Sequence, residues 1–98
     1  MTLQYDPEAR VEVLRIIEWY FAQEKSLAAE FDAELRQAER NIISFPEFWH
    51  PLEGGYRRYH LKRFPYSVVY RIEGDALLVV SVAGHKQPQN YWRKRLKD

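Results

Sequence analysis

The sequence predicts an α+β fold, an N-terminal antiparallel helix hairpin packed on one face of a small, mainly antiparallel β-sheet. Three observations predict it. Apolar residues recur every three or four positions from residue 7 to about 45, the period changes to two from 56 to 84, and the Pro/Gly-rich stretch "FPEFWHPLEGG" separates the two regimes. At 98 residues the chain reads as one domain over 1–98, with the hairpin at about 7–45, the sheet at about 56–84 and a basic, aromatic tail at 85–98.

Asp6-Pro7-Glu8 opens the first helix: Asp6 is placed to accept from free amide groups, Pro7 suits the first helical position and Glu8 complements the positive helix end. Ala9, Val13, Ile16, Ile17 and Tyr20 then form one stripe, which predicts a helix from Pro7 to about Gln23. Ser26 is the expected N-cap of a second helix, whose stripe of Leu27, Phe31, Leu35, Ala38 and Ile42 ends before Pro46. The gap at Glu24-Lys25 is so short that the two helices must fold back on each other.

Strands are expected at about 56–64, 67–72 and 76–84, with 46–55 as a loop, Pro65 at a bend and "EGD" at 73–75 as a tight hairpin. "ALLVVSVAG" is apolar on both faces and reads as the centre of the sheet. Thr2 to Tyr5 supply a short additional strand. Trp19, Phe21, Phe31, Phe45, Phe48 and Trp49 read as core or hinge packing.

A composition of 46% hydrophobic, 15% aromatic and 30% charged residues is that of a globular chain and not of a disordered one. The lack of cysteine excludes a disulfide framework or a thiolate metal site and points to the cytoplasm. No apolar run reaches the ~20 residues of a membrane span, and the N-terminus lacks a secretory pattern, so a soluble protein without a membrane partner is expected. The net charge of +1 conceals a division: residues 1–49 carry ten acidic against five basic residues, and residues 50–98 carry four against ten. Such asymmetry suits an anionic partner, a nucleic acid or an acidic protein segment.

Strand parity collects the basic residues. If Tyr59 and Leu61 face the helices, Arg58, His60 and Lys62 face away, and on the next strand Arg71 joins them beside Ser67 and Val69. His85 and Lys86 stand where the third strand ends, bordered by Tyr91 and Trp92. This cationic trough with aromatics is either a site for an anion or the ordinary wet face of an antiparallel sheet. The want of paired acids, with Glu53, Glu73 and Asp75 in turns, favours the first. Tyr91-Trp92 either anchors the tail on the sheet or stacks on a base or partner chain.

Neither a metal nor another cofactor is expected, because no carboxylate accompanies His60 and His85 at ligand-like spacing and His50 lies in a Pro-flanked loop. A phosphate loop, a Gly-x-Ser-x-Gly elbow and a Ser/His/Asp set are all missing. The parts for a metal-free cleavage of RNA are present, with Arg58, Arg71 or Lys86 beside the phosphate and His60, His85 or Tyr91 moving protons.

The order of a helix hairpin, "ERNIISFPEF", "YRRYHLKRFPYSVVYRI" and "ALLVVSVAGHKQPQNYWRKR" resembles the RelE/ParE superfamily of toxins from type II toxin-antitoxin modules. The resemblance implies a bacterial toxin neutralised by a cognate antitoxin in a hetero-oligomer. It also implies one of two activities, metal-free cleavage of mRNA on the ribosome in RelE-like members or poisoning of DNA gyrase in ParE-like members. By position, Arg58, Lys62, Arg71, Lys86 and Tyr91 are the nearest counterparts of nuclease residues. Contacts to the target or antitoxin fall to Arg58, His60, Lys62, Arg71, His85, Lys86, Tyr91, Trp92 and Arg93. The hairpin, "FPYSVVY" and "YW..R" are more similar to the ParE branch. The expected function is therefore a gyrase-binding toxin, with a ribosome-dependent mRNA endonuclease or a degenerate, non-toxic antitoxin-binding protein as alternatives.

Overall fold

The structure, a computed structural model, describes residues 1–88 and 91–95, without the side chain of Arg95. The parts of the basic tail at 89–90 and 96–98 lie outside the described residues. Strand β1 (Thr2–Tyr5) leads into helices α1 (Pro7–Gln23) and α2 (Lys25–Ser44). Strands β2 (His50–Pro51), β3 (Tyr56–His60), β4 (Tyr66–Glu73) and β5 (Ala76–Gly84) follow, and a single-turn 3₁₀ helix spans Tyr91–Arg95. The sheet order is β1-β5-β4-β3-β2, antiparallel except for the β1–β5 pair. This is the expected α+β fold.

The helix stripes do what their spacing predicts. Ala9 and Ile16 of α1 and Phe31, Leu35, Ala38 and Ile42 of α2 are buried against Tyr59, Val68, Tyr70, Leu77 and Val79 of the sheet. Phe31, Tyr20, Phe64 and Tyr66 form an aromatic knot with ring centroids 5.1–6.4 Å apart, mostly edge to face. At Gly74 the chain turns between β4 and β5 with φ of 62°, a conformation that favours glycine.

Several local expectations are corrected. Asp6 makes no side-chain cap: its N–H donates to the Val79 carbonyl at 2.9 Å and its own carbonyl accepts from Arg10 at 3.0 Å, so it extends the β1–β5 ladder into the helix. Ser26 lies inside α2, whose N-cap is Glu24, and its hydroxyl bonds the Glu24 carboxylate at 3.1 Å. The loop expected at 46–55 contains the two-residue edge strand β2, where Pro51 is tolerated because an edge needs no second ladder bond. "ALLVVSVAG" is paired on both edges as expected, but β4 occupies the middle of the sheet because the unexpected β2 adds a fifth strand beyond β3.

Two further corrections bear on function. Trp19, Phe21, Phe45 and Phe48 are exposed, at 62%, 55%, 64% and 73%. Trp19 and Phe21 flank the inward-facing Tyr20 at about 100° to either side around the helix, which turns both away from the sheet. The sheet face opposite the hairpin is also not bare: a second small core of Val69, Val80 and Trp92, with Leu52, Tyr56, Leu78 and Tyr91 packed around it, covers its centre.

Candidate functional site

Strand β3 ends at His60, and this early end decides which cations share a site. Leu61 and Phe64 turn into the core. The backbone N–H groups of Lys62 and Arg63 donate to the Glu34 carboxylate on α2, and the Arg63 guanidinium reaches Glu30 at 2.9 Å. Lys62 is thereby carried to the helix side, away from Arg58 and His60. Parity beyond residue 60 fails because the strand on which it depends is replaced by a loop tied to α2.

Arg58 stays where parity places it. It lies opposite His50 on β2 and Val69 on β4, and its Nε is buried without a hydrogen-bond partner among the described residues. His60 stands opposite Ser67, with Nδ1 2.6 Å from the Ser67 Oγ. From the turn after β5, His85 brings Nε2 to 3.1 Å from the same oxygen, and the two imidazoles meet edge to face at 5.0 Å. A cleft of about 220 Å³ opens here, lined by Arg58, His60, Ser67, His85 and Trp92 among others. Partial burial, then the positive charge of Arg58 and the neighbouring His85 and His50, lower the His60 pKa below its ordinary value, which favours the neutral ring.

Of the remaining predicted residues, Trp92 borders this cleft and the others do not line it. Arg71 is on the same sheet face but at its other end, where its Nε donates to Glu73 at 2.5 Å and its guanidinium lies against the Tyr56 ring. Glu73, expected in a turn and unpaired, is thus its ion partner, and this bond keeps the guanidinium protonated more firmly than usual. Lys86 is exposed in the turn beside His85 but does not line the cleft. Tyr91 points to α1 and donates to Glu12, whose carboxylate also accepts from the Ser81 hydroxyl at 3.0 Å and the Val82 N–H at 2.9 Å. Trp92 is only 1% exposed, edge to face with Tyr56 at 4.9 Å. Arg93 stacks over the Trp92 ring and donates to the Glu53 carbonyl at 2.5 Å. The tail therefore anchors on the sheet, the first of the two roles open to Tyr91-Trp92.

Ser67 and Glu12 carry this arrangement, and sequence reasoning gave neither a role. Both left a signal. Glu12 sits three residues after Ala9 and four before Ile16, on the buried stripe of its helix, where a carboxylate needs partners. Ser67 is the polar residue in "YSVVY" on the same face as His60.

Among the described residues no group of three or more His, Cys, Asp or Glu gathers closely enough to hold a metal ion. No helix among them is long and apolar enough to cross a membrane.

A family profile described as the ParE toxin of the type II toxin-antitoxin system parDE matches residues 3–89. The chain belongs to the ParE toxin family. No curated protein sequence matches it. Among solved structures it is similar to a chromosomal ParDE toxin-antitoxin system from P. aeruginosa, at 18% identity and a TM-score of 0.75, over 86% of this chain and 95% of that one. The isolated E. coli RelE toxin aligns at 16% identity with a TM-score of 0.64 and 98% coverage of each chain. A variant of E. coli RelE in complex with an antitoxin RelBc peptide aligns at 16% identity with a TM-score of 0.61, covering 98% of this chain and 94% of that one. At these identities the structures share the fold of this ParE-family toxin, and its place in the RelE/ParE superfamily of type II toxins rests on the family match as well.

Proposed function

We propose that the protein arrests growth as a ParE-type toxin by binding DNA gyrase, and that a cognate antitoxin neutralises it. The observation that carries this reading is the scatter of the nuclease parts. Lys62 lies beside Glu34, Tyr91 is bonded to Glu12, Arg71 is paired with Glu73, and Lys86 stands outside the cleft that Arg58 lines. Metal-free phosphodiester cleavage needs a base, an acid and a cation around one phosphate. The five positional counterparts do not surround one. A binding toxin needs only an exposed surface of suitable shape and charge, which the Arg58 end of the sheet and the turn at Lys86 provide.

The His60–Ser67–His85 cluster beside Arg58 favours a second reading, an mRNA endonuclease built on imidazoles. The purified protein separates the two. Inhibition of gyrase supercoiling with ribosome-bound mRNA left intact is expected, and cleaved mRNA with normal supercoiling would replace the first reading by the second. Failure of expressed protein to arrest growth would make it a non-toxic antitoxin-binding member.

A further inference from the structure

The cleft beside β3 has a volume of about 220 Å³, and among the described residues none that lines it is acidic. We propose that it is a pH-gated site for a tetrahedral oxyanion, above all a phosphate group, held by the Arg58 guanidinium and by His60 and His85 acting as a pair coupled through Ser67.

The gate follows from counting protons. A serine hydroxyl has a single proton. Ser67 Oγ bridges His60 Nδ1 at 2.6 Å and His85 Nε2 at 3.1 Å, so it donates to one ring and accepts from the other. When both rings are neutral, the ring that accepts from Ser67 has an N–H at its outer nitrogen, and the ring that donates has a bare lone pair there. One outer nitrogen attracts an anion and the other repels it. A single added proton fills the bare position. His60 Nε2 and His85 Nδ1 are then both donors, and with Arg58 the cleft carries two positive charges, a match for a dianion.

Among the described residues the surroundings supply no acid to balance that charge. β2 contributes His50 opposite Arg58, β4 contributes Ser67 and Val69, and β5 contributes Ala83 and Gly84. The turn after β5 adds Gln87 and Pro88, and the tail adds Trp92. Among the described residues the charged or titratable groups here are thus Arg58 and the three histidines, all of which become more comfortable when an anion enters. The buried Nε of Arg58 is a second, independent sign: an orphaned donor of this kind is uncommon, and the guanidinium keeps hydrogen-bonding capacity that the described residues do not use. Burial first, and then the positive charge of Arg58, His85 and His50, lower the His60 pKa, and an anion would relieve the second of these causes. The proposal does not depend on whether gyrase or mRNA is the toxin's target.

Titration calorimetry with sulfate tests it, because sulfate remains a dianion throughout and any pH dependence then belongs to the protein. Affinity is expected to fall at least about tenfold from about pH 5.5 to about pH 8, as the required proton is lost. The His85→Asn change, at an exposed position, is expected to flatten that dependence, and Arg58→Gln to remove binding at both pH values, with folding checked by circular dichroism. Parallel titrations with inorganic phosphate and a nucleoside 5′-monophosphate both uphold the site and assign its source, tighter monophosphate binding indicating a nucleotide end and equal binding a free anion. Equal sulfate affinity at the two pH values, no binding heat at ~10 mM sulfate, or an unchanged isotherm in the folded variants would overturn the proposal.

Discussion

At Ser67 a hydroxyl only 4% exposed stands between two imidazoles, and the chemistry of the cleft is set by that one oxygen. The same cluster makes stability depend on pH. In the unfolded chain His60 titrates near its ordinary pKa of about 6.5, while in the folded chain it titrates lower. Between those values the unfolded state binds more protons, so stability is full above the ordinary value and falls as the pH drops through the folded one. Urea midpoints at pH 7 and pH 5 are expected to show a larger loss for the wild type than for His60→Asn; equal losses would remove His60 as the cause. Arg58 and Lys86 test function at the same scale, since neither packs in the core. Their double replacement by alanine is expected to weaken growth arrest while the unfolding transition stays nearly unchanged, and full toxicity in the folded variant would exclude both as contacts.

The 3₁₀ helix Tyr91–Arg95 is the element that most changes the picture drawn from strand parity. It fixes itself at two points, Tyr91 on Glu12 beyond the edge of β5, and Trp92 between Tyr56, Val69 and Val80 on the open face. Trp92→Ala is expected to cost about 3–5 kcal/mol in chemical denaturation, since it empties the middle of the smaller core. Lys62→Ala, on an exposed loop, should stay within about 0.5 kcal/mol. If the two variants unfolded alike, the tail would not be the fixed element that its burial describes. The exposed aromatics of α1 and of the α2–β2 connection belong to this scale too: helical spacing identifies the stripe that meets the sheet but is silent on neighbours such as Trp19 and Phe21, which share its hydrophobicity and not its direction.

Across the whole molecule the charge division of the sequence becomes a spatial one. The acidic half forms the helix layer, and the basic half forms most of the sheet and the tail. Some of that positive charge is spent internally, Arg63 on Glu30 and Arg71 on Glu73. We propose that what remains at the Arg58 end and the Lys86 turn meets an acidic segment of the antitoxin. Affinity for the antitoxin should therefore fall when salt is raised from about 0.05 to about 0.5 M, because exposed charge contacts are screened over a Debye length of ~10 Å or less. Salt-independent binding would place the antitoxin on the apolar surface of the hairpin instead.

The hairpin, the strands from Tyr56 onward and the facing of Arg58, His60 and Ser67 are legible in the order of residues alone, because helical and strand periodicity are local properties of the backbone. The sequence also carries the order of motifs that makes the chain resemble its superfamily. That β3 stops at His60, that Lys62 follows Glu34 to the helix side, that Trp92 fills the open face and that His85 meets His60 on one serine oxygen came from the packing of the layers. Each of those results pairs groups at least 18 residues apart or depends on such a pairing, and no local pattern records which distant partner a polar or aromatic side chain will find when the layers close.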